Sequence, residues 1–177
     1  MRDRLRAAHI DGEVIGHFLW CVGGSVVRAQ RCAAGGRGDP VEPPDHALGR
    51  SRDGLFTRIH LLVDGSGVPL AFTVTGGQVH ETKALEDLLV QADDRLHDIE
   101  GTPIAWPACL AGDKGYRAAW VDELLGSLGV MPVIPSTANE DPGRRDLDFD
   151  RDRYRRRNLA GRSSAGRRNV VATFRVS

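Results

Sequence analysis

Two β-prone segments joined by a short turn limit the folds that this chain can adopt. Residues 55–63 and 69–75 are rich in apolar and β-branched side chains, and the turn between them begins with Asp64-Gly65. An Asp-Gly pair between such segments is among the strongest sequence signals for a β-hairpin. The sequence therefore predicts an antiparallel pair of strands here.

Further strands and helices are predicted on both sides of the hairpin. Residues 18–29 predict a strand with a flexible middle at Gly23-Gly24, and residues 108–112 and 130–135 predict two short strands. Apolar residues recur at helical spacing from Glu81 onward and again over residues 118–128. The apolar face of the first helix consists of Ala84, Leu85, Leu88, Leu89 and Ala92, and Gly129 is placed as the C-cap of the second. This alternation predicts a single α/β domain.

Composition excludes several classes of protein. The chain has 24 basic and 24 acidic residues, so no overall positive charge points to a nucleic acid or a membrane surface. No apolar run is long enough to span a membrane, and the first residues lack the apolar stretch of a secretory signal. The cysteines are odd in number and lack CxxC spacing, which favours neither a disulfide framework nor a zinc site. We therefore expect a cytoplasmic protein.

Segments without apolar periodicity predict loops. Residues 33–49 and 136–152 mix Gly, Pro and charged side chains. A helix could begin near Tyr154, but Gly and Ser residues follow, and no apolar stripe continues beyond Leu159. We expect loose order from about Arg162 onward. The arginines of residues 151–157 alternate with Asp148, Asp150 and Asp152, so a solvated surface and a DNA-binding patch both remain open.

Three segments, in this order and spacing, resemble the DDE transposases of bacterial insertion sequences, in the group that includes insertion sequences four and five. They are residues 22–29, residues 49–65 and Leu110-Ala111-Gly112-Asp113-Lys114-Gly115-Tyr116, and Tyr154-Arg155-Arg156-Arg157-Asn158 follows them. The resemblance covers about residues 20–162. It implies an α/β RNase H-like mixed sheet with crossing helices, in which strand 18–29 neighbours the hairpin and strand 108–112 lies beside strand 18–29. Residues 18–162 would form an incomplete catalytic domain, residues 1–17 a short N-terminal remnant and residues 163–177 an aberrant tail.

The same resemblance implies metal-dependent cleavage and strand transfer of DNA, with three acids holding Mg²⁺ or Mn²⁺. The second acid corresponds to Asp113, after a buried strand, although an Asp before Lys-Gly also commonly caps a turn. Gly23 occupies the position of the first acid. The third acid belongs to a helical motif that Tyr154 and Arg157 match, and its position holds Gly161. With Asp113 as the one remaining metal ligand, we expect a transposase-family protein that is inactive as a catalyst.

The resemblance further implies that DNA, at transposon ends, is the partner. Arg28, Lys114, Tyr154 and Arg157 are the candidate DNA-binding residues. The segment before Phe18 is too short for the helical end-binding region that such transposases carry, so recognition of specific ends is doubtful. The alternative function is a non-enzymatic remnant that binds DNA weakly or pairs with an intact transposase subunit and inhibits it. A chain that forms no stable protein is the third interpretation.

Other acids, histidines and tryptophans are weaker candidates for the site. Asp64 is expected at the opposite end of the sheet from Asp113, because the hairpin strand runs antiparallel to strand 18–29. Five further acids that could substitute match no motif; they are Asp11, Glu13, Glu140, Asp146 and Asp148. His60 and His80 have no partner at metal-ligand spacing, so both are expected to be surface or core histidines. The three tryptophans are expected to be core aromatics.

Overall fold

The computed structural model describes residues 9–10, 13–14, 18–28, 49–51, 54–97, 101–137, 140 and 149–166. Its strands are β1 (His9–Ile10), β2 (Glu13–Val14), β3 (Leu19–Arg28), β4 (Gly49–Ser51), β5 (Gly54–Asp64), β6 (Pro69–Gly76), β7 (Cys109–Ala111) and β8 (Met131–Val133). Its helices are α1 (Glu81–Arg95), α2 (Ala119–Ser127), α3 (Arg151–Arg156) and α4 (Asn158–Gly166), with a short 3-10 helix at Lys114–Tyr116.

The main sheet has six strands, in the order β4-β5-β3-β7-β8, with β6 also paired to β5. The predicted hairpin is present, since β5 and β6 pair antiparallel. Strand β3 pairs antiparallel with β5 on one side and parallel with β7 on the other. The expected neighbours of residues 18–29 are therefore confirmed, and the fold is an α/β mixed sheet with crossing helices.

Helix α1 covers one face of this sheet. Its six buried residues include all five whose spacing predicted the helix, and they pack with Trp20 and Val22 of β3. The His80 side chain caps the helix by accepting a hydrogen bond from the Thr82 backbone N–H. Capping of this kind satisfies one of the donors that every helix leaves unpaired at its start.

The opposite face of the sheet carries α3 and α4. Side chains of a strand alternate between its two faces, so Leu19 and Cys21 of β3 lie in a second core, away from Trp20 and Val22. Ala160 of α4 is buried in this second core, together with Leu61, Val63, Cys109, Ala111 and Val133. Strand β3 therefore lies between two layers of helices.

Two expectations about the C-terminal part need correction. The predicted loop 136–152 extends two residues too far, because α3 already begins at Arg151. Asp150 is the N-cap of this helix and accepts hydrogen bonds from the backbone N–H groups of Asp152 and Arg153. Helix α4 continues through Gly166, past the point where helix propensity becomes weak. Packing of Ala160, which is 1% exposed, supplies the tertiary contact that outweighs propensity.

Some predicted segments lie outside the described residues, namely 29–48, 138–139, 141–148 and 167–177. Among the tryptophans, Trp20 and Trp106 pack with ring centroids 5.6 Å apart, as expected of core aromatics. Trp120 is 38% exposed, so the core assignment is wrong for this residue. None of the helices in the described part of the chain is long and apolar enough to cross a membrane.

Candidate active site

Asp113 lies two residues beyond the end of β7 and begins the 3-10 helix Lys114–Tyr116. Its Oδ1 accepts a hydrogen bond of 2.9 Å from the backbone N–H of Gly115. The side chain therefore caps this turn, which is the structural role that the sequence left open. A half-buried carboxylate at the carboxyl end of a sheet strand is also well placed for catalysis, and one role does not exclude the other.

Gly23 lies against helix α4. Two residues before it, Cys21 pairs with Ala111 in the parallel β3–β7 ladder, and Asp113 follows Ala111 by two positions, beyond the end of β7. A Cβ on Gly23 would lie 3.1 Å from the Cβ of Ala160 and 3.8 Å from the backbone nitrogen of Gly161. The structure thus brings together the two positions at which the resemblance places the first and third acids.

The two glycines differ in the space around them. A Cβ on Gly161 would meet nothing within 4 Å, so the exposed face of α4 has room for a longer side chain there. At Gly23 the contact with Ala160 is tighter than ordinary van der Waals contact, and α4 would have to shift by a few tenths of an ångström. A side chain is therefore accommodated more easily at position 161 than at position 23.

Asp64 belongs to the hairpin and is distant from this site. It pairs with Trp20, three residues before Gly23, which is about 10 Å along a strand. Its Oδ1 accepts hydrogen bonds of 2.8 Å from the backbone N–H groups of both Ser66 and Val68. The expectation that Asp64 lies at the other end of the sheet is confirmed, and its carboxylate stabilises the turn.

Glu140 forms an ion pair with Arg117, since its Oε1 lies 3.1 Å from Nε of Arg117.

Glu81 is a neighbour of Asp113 that the sequence analysis missed. It is the first residue of α1, and its Oε2 lies beside Oδ1 of Asp113, where both oxygens adjoin the place that a Cβ on Gly115 would occupy. Strands β3, β6 and β7 run in the same direction, because β3 and β6 are both antiparallel to β5. Residues that follow β6 and β7 therefore meet at one edge of the sheet, and this topology was the available signal for pairing Glu81 with Asp113.

Burial and neighbouring charges set the protonation of this region. Burial, followed by the charge of Asp113, raises the pKa of Glu81, and Arg58 opposes the increase. Burial and the adjacent Arg58 guanidinium lower the pKa of His60 to about 4, so its imidazole is neutral at pH 7. Burial raises the pKa of Tyr116, which therefore keeps its phenolic proton.

His60 is a buried core residue that links the 3-10 helix to strand β6. Its Nδ1 lies 2.9 Å from the hydroxyl of Tyr116, and its Nε2 lies 2.9 Å from Oγ1 of Thr75. His80 is exposed and caps α1, so the expectation of core or surface roles for both histidines is confirmed.

The four candidate DNA-binding residues do not form one cluster. Arg28 is exposed at the end of β3, five residues and about 17 Å from Gly23 along the strand. Lys114 is exposed beside Asp113. At the end of α3, the guanidinium of the C-cap residue Arg157 stacks over the Tyr154 ring at 4.5 Å, and this ring packs against Phe149 with centroids 5.1 Å apart.

Within the described part of the chain, the residues around Asp113 do not fit a pair of divalent metal ions. Among the residues that the structure describes, no three His, Cys, Asp or Glu side chains are grouped so that they could hold one ion. Asp113 and Glu81 supply oxygen ligands of the kind that Mg²⁺ prefers, but two-metal catalysis requires a carboxylate set that clamps both ions. The positions that would complete such a set around Asp113 are Gly23 and Gly161.

Comparison with known proteins identifies a family, a relative similar in sequence and two solved structures that resemble the chain. Residues 31–172 match the family model described as the transposase DDE domain. A protein named as the proposed transposase of insertion sequence element IS402 from Burkholderia cepacia is 30% identical over 91 residues. That alignment covers 51% of this chain and 42% of the relative, so the chain spans less than half of the relative's length.

Two solved structures resemble the chain at low sequence identity. The Mos1 strand transfer complex is 13% identical, with a TM-score of 0.41 over 86% of this chain and 54% of the other. The simian T-cell lymphotropic virus intasome with the PP2A regulatory subunit B56 gamma is 12% identical, with a TM-score of 0.38 over 89% of this chain and 51% of the other.

Proposed function

Because the chain belongs to the family of transposases with a DDE domain, whose function is DNA transposition, we propose that it derives from an insertion-sequence transposase and no longer cleaves DNA. The observation that carries this proposal is the contact between Gly23 and the Ala160-Gly161 segment of α4. Positions that the family resemblance assigns to two metal-binding acids are adjacent in space, and neither has a ligand atom. The scaffold of the site is retained while its chemistry is lost.

The missing carboxylates remove a specific part of the reaction. The family depends on a divalent metal ion, generally Mg²⁺, which when bound activates the attacking water and stabilises the leaving oxygen. In this chain Asp113 and Glu81 would hold at most part of the coordination shell, against the strong hydration of Mg²⁺. Without the remaining ligands, Asp113 and Glu81 cannot hold the metal ions that would activate a nucleophile.

A nicking assay tests the proposal directly. We expect no Mg²⁺- or Mn²⁺-dependent cleavage when the purified chain is incubated with duplex DNA that contains the transposon ends. Asp113→Ala is the matched control, because any contaminating nuclease would be insensitive to it. Specific nicking by the unmodified chain that disappears in Asp113→Ala would show that another acid completes the site. The proposal that the chain no longer cleaves DNA would then be wrong.

The arginines of α3 and α4 favour a second function, which is weak binding of DNA without cleavage. Arg151, Arg155 and Arg156 are exposed on α3, and Arg162 is exposed on α4. The exposed pair between Arg155 and Asp152 contributes little to stability and would exchange readily for an interaction with phosphate. Such a chain could also pair with an intact transposase subunit and inhibit it.

Inhibition is tested by expressing this chain together with an active transposase of the same element. We expect the frequency of transposition to fall, and a chain with the exposed α3 arginines replaced by Gln should inhibit less if DNA competition is the cause. Equal inhibition by both chains would point to mixed assemblies, and no inhibition by either would remove this second function.

A further inference from the structure

We propose that Glu81 is a positioning residue for Asp113, which holds the carboxylate of Asp113 in one orientation at the carboxyl end of β7. This inference builds on the proposed function, because it concerns the one acid of the family's site that the chain retains. Family resemblance assigned no role to Glu81, and the proposal comes from its contacts. It predicts that the support around Asp113 persists although the other two acids are absent.

The carboxylate of Glu81 is fixed from two sides. Its Oε1 accepts a hydrogen bond of 2.7 Å from Nη1 of Arg58, and the side chains of both residues are about one-fifth exposed, at 21% and 22%. Arg58 is anchored in β5, a central strand whose backbone pairs with β3 and β6. On its other side, Oε2 of Glu81 lies next to Oδ1 of Asp113, at the place that a Cβ on Gly115 would take. An acid held between a rigid strand and a turn has little rotational freedom left.

Gly115 makes this arrangement sterically possible. The Oε2 of Glu81 lies where a Cβ on residue 115 would be, so any larger residue would displace the Glu81 carboxylate. The backbone N–H of Gly115 donates at the same time to Oδ1 of Asp113. One glycine therefore provides the space for Glu81 and a hydrogen bond for Asp113, which fixes the two carboxyl groups relative to each other.

Charge balance favours the same role. Two carboxyl groups in contact repel when both are ionised, and a cation beside one of them offsets the repulsion. Arg58 is that cation, and its pairing with Glu81 orients the acid so that Asp113 keeps its bond to Gly115. The nearby His60 is neutral at pH 7 and adds no competing charge.

The backbone amide of Gly115 provides a readout that needs neither metal nor DNA. In the full chain, Glu81→Ala should free the Asp113 carboxylate and raise the hydrogen-exchange rate of the Gly115 amide by roughly fivefold or more, with core amides unchanged. Glu81→Gln should restore slow exchange, because its amide can accept from Arg58 and donate to Asp113. Glu86→Ala, which removes an exposed acid from the same helix, is the matched control and should leave the rate unchanged.

The outcomes separate this inference from the proposed function, which the nicking assay tests. Unchanged exchange at Gly115 in Glu81→Ala would overturn the positioning role, and so would equally fast exchange in Glu81→Gln. If Glu81→Ala loses protection throughout the core, Glu81→Leu replaces it, since leucine keeps the packing of the side-chain stem. Faster exchange confined to Gly115 in Glu81→Leu supports the proposal, and an unchanged rate overturns it.

Discussion

Asp64 shows how one buried acid can serve structure alone. Its Oδ1 satisfies the two backbone N–H groups that close the hairpin, at Ser66 and Val68. Removing the acceptor leaves these donors without a partner in the turn that joins β5 and β6. The carboxylate therefore contributes to stability through hydrogen bonds, and no catalytic role is needed to explain it.

For this reason Asp64→Ala should lower the free energy of unfolding by about 1 kcal/mol, the usual contribution of intramolecular hydrogen bonds whose donors water can partly reach. Asp64→Asn should cost clearly less, because its amide oxygen can accept from the same N–H groups. Urea unfolding of both variants measures the difference. Equal losses in the two variants would show that charge, and not acceptance of hydrogen bonds, is the contribution of Asp64.

His60 makes stability depend on pH. Its pKa is lowered to about 4 in the folded chain by burial and by Arg58, whereas an unfolded histidine titrates near pH 6.5. The unfolded state therefore binds more protons between these values, and stability is full above about pH 6.5 and falls as the pH decreases towards 4. From the linkage relation we expect a loss of about 2 kcal/mol at pH 5 from this residue.

Urea unfolding at pH 7 and pH 5 measures this loss. His60→Gln retains hydrogen-bonding atoms for Tyr116 and Thr75 but does not titrate, so its pH dependence in this interval should be smaller by about the same amount. An identical pH dependence in both chains would mean that His60 is protonated in the folded state.

At the scale of elements, α4 is a helix that its own sequence weakens. Gly161 lies in the interior of the helix, where glycine costs about 0.5–1 kcal/mol relative to alanine. A Cβ on Gly161 would meet nothing within 4 Å, so replacement by alanine would increase helix stability without a steric clash. The helix is held by packing of Ala160 between β3 and the rest of the second core.

Gly161→Ala should accordingly raise the free energy of unfolding by about 0.5–1 kcal/mol. Gly126→Ala is the matched control, because Gly126 lies in α2 with equally open space around its Cβ position and should give a similar gain. Chemical denaturation compares the two. A gain at position 126 without one at 161 would indicate that α4 does not take part in cooperative unfolding.

At the scale of the whole molecule, the neutral net charge makes any binding of DNA a local effect. The exposed arginines of α3 should give weak, sequence-independent binding that decreases steeply with salt. Replacing Arg151, Arg155 and Arg156 together by Gln should reduce the slope of log affinity against log salt by roughly one for each phosphate that the variant no longer neutralises. Fluorescence anisotropy with labelled duplex DNA over a range of salt concentrations measures the slope.

Arg95→Gln is the control for this prediction, since Arg95 is exposed at the end of α1, far along the chain from α3. It should leave the slope unchanged. Equal slopes for the triple variant and the unmodified chain would show that the α3 arginines form a solvated surface without a role in DNA binding.

The sequence by itself determined the hairpin and the helices α1 and α2, because Asp-Gly turns and apolar periodicity act over a few residues and are visible in the chain. The neighbours of β3 came from the family resemblance. It also singled out Gly23, Asp113 and Gly161 through a motif. Local patterns could not decide where α4 ends, since the burial of Ala160 against β3 outweighs weak propensity.

Only the tertiary structure decided which groups surround Asp113. Glu81 lies 32 positions away in the sequence, and it meets Asp113 because β6 and β7 run in the same direction and end at one edge of the sheet. The missing Cβ of Gly115 then allows the two carboxyl groups to touch. Contacts of this kind depend on strand order and close packing, and neither is encoded in the spacing of any single segment.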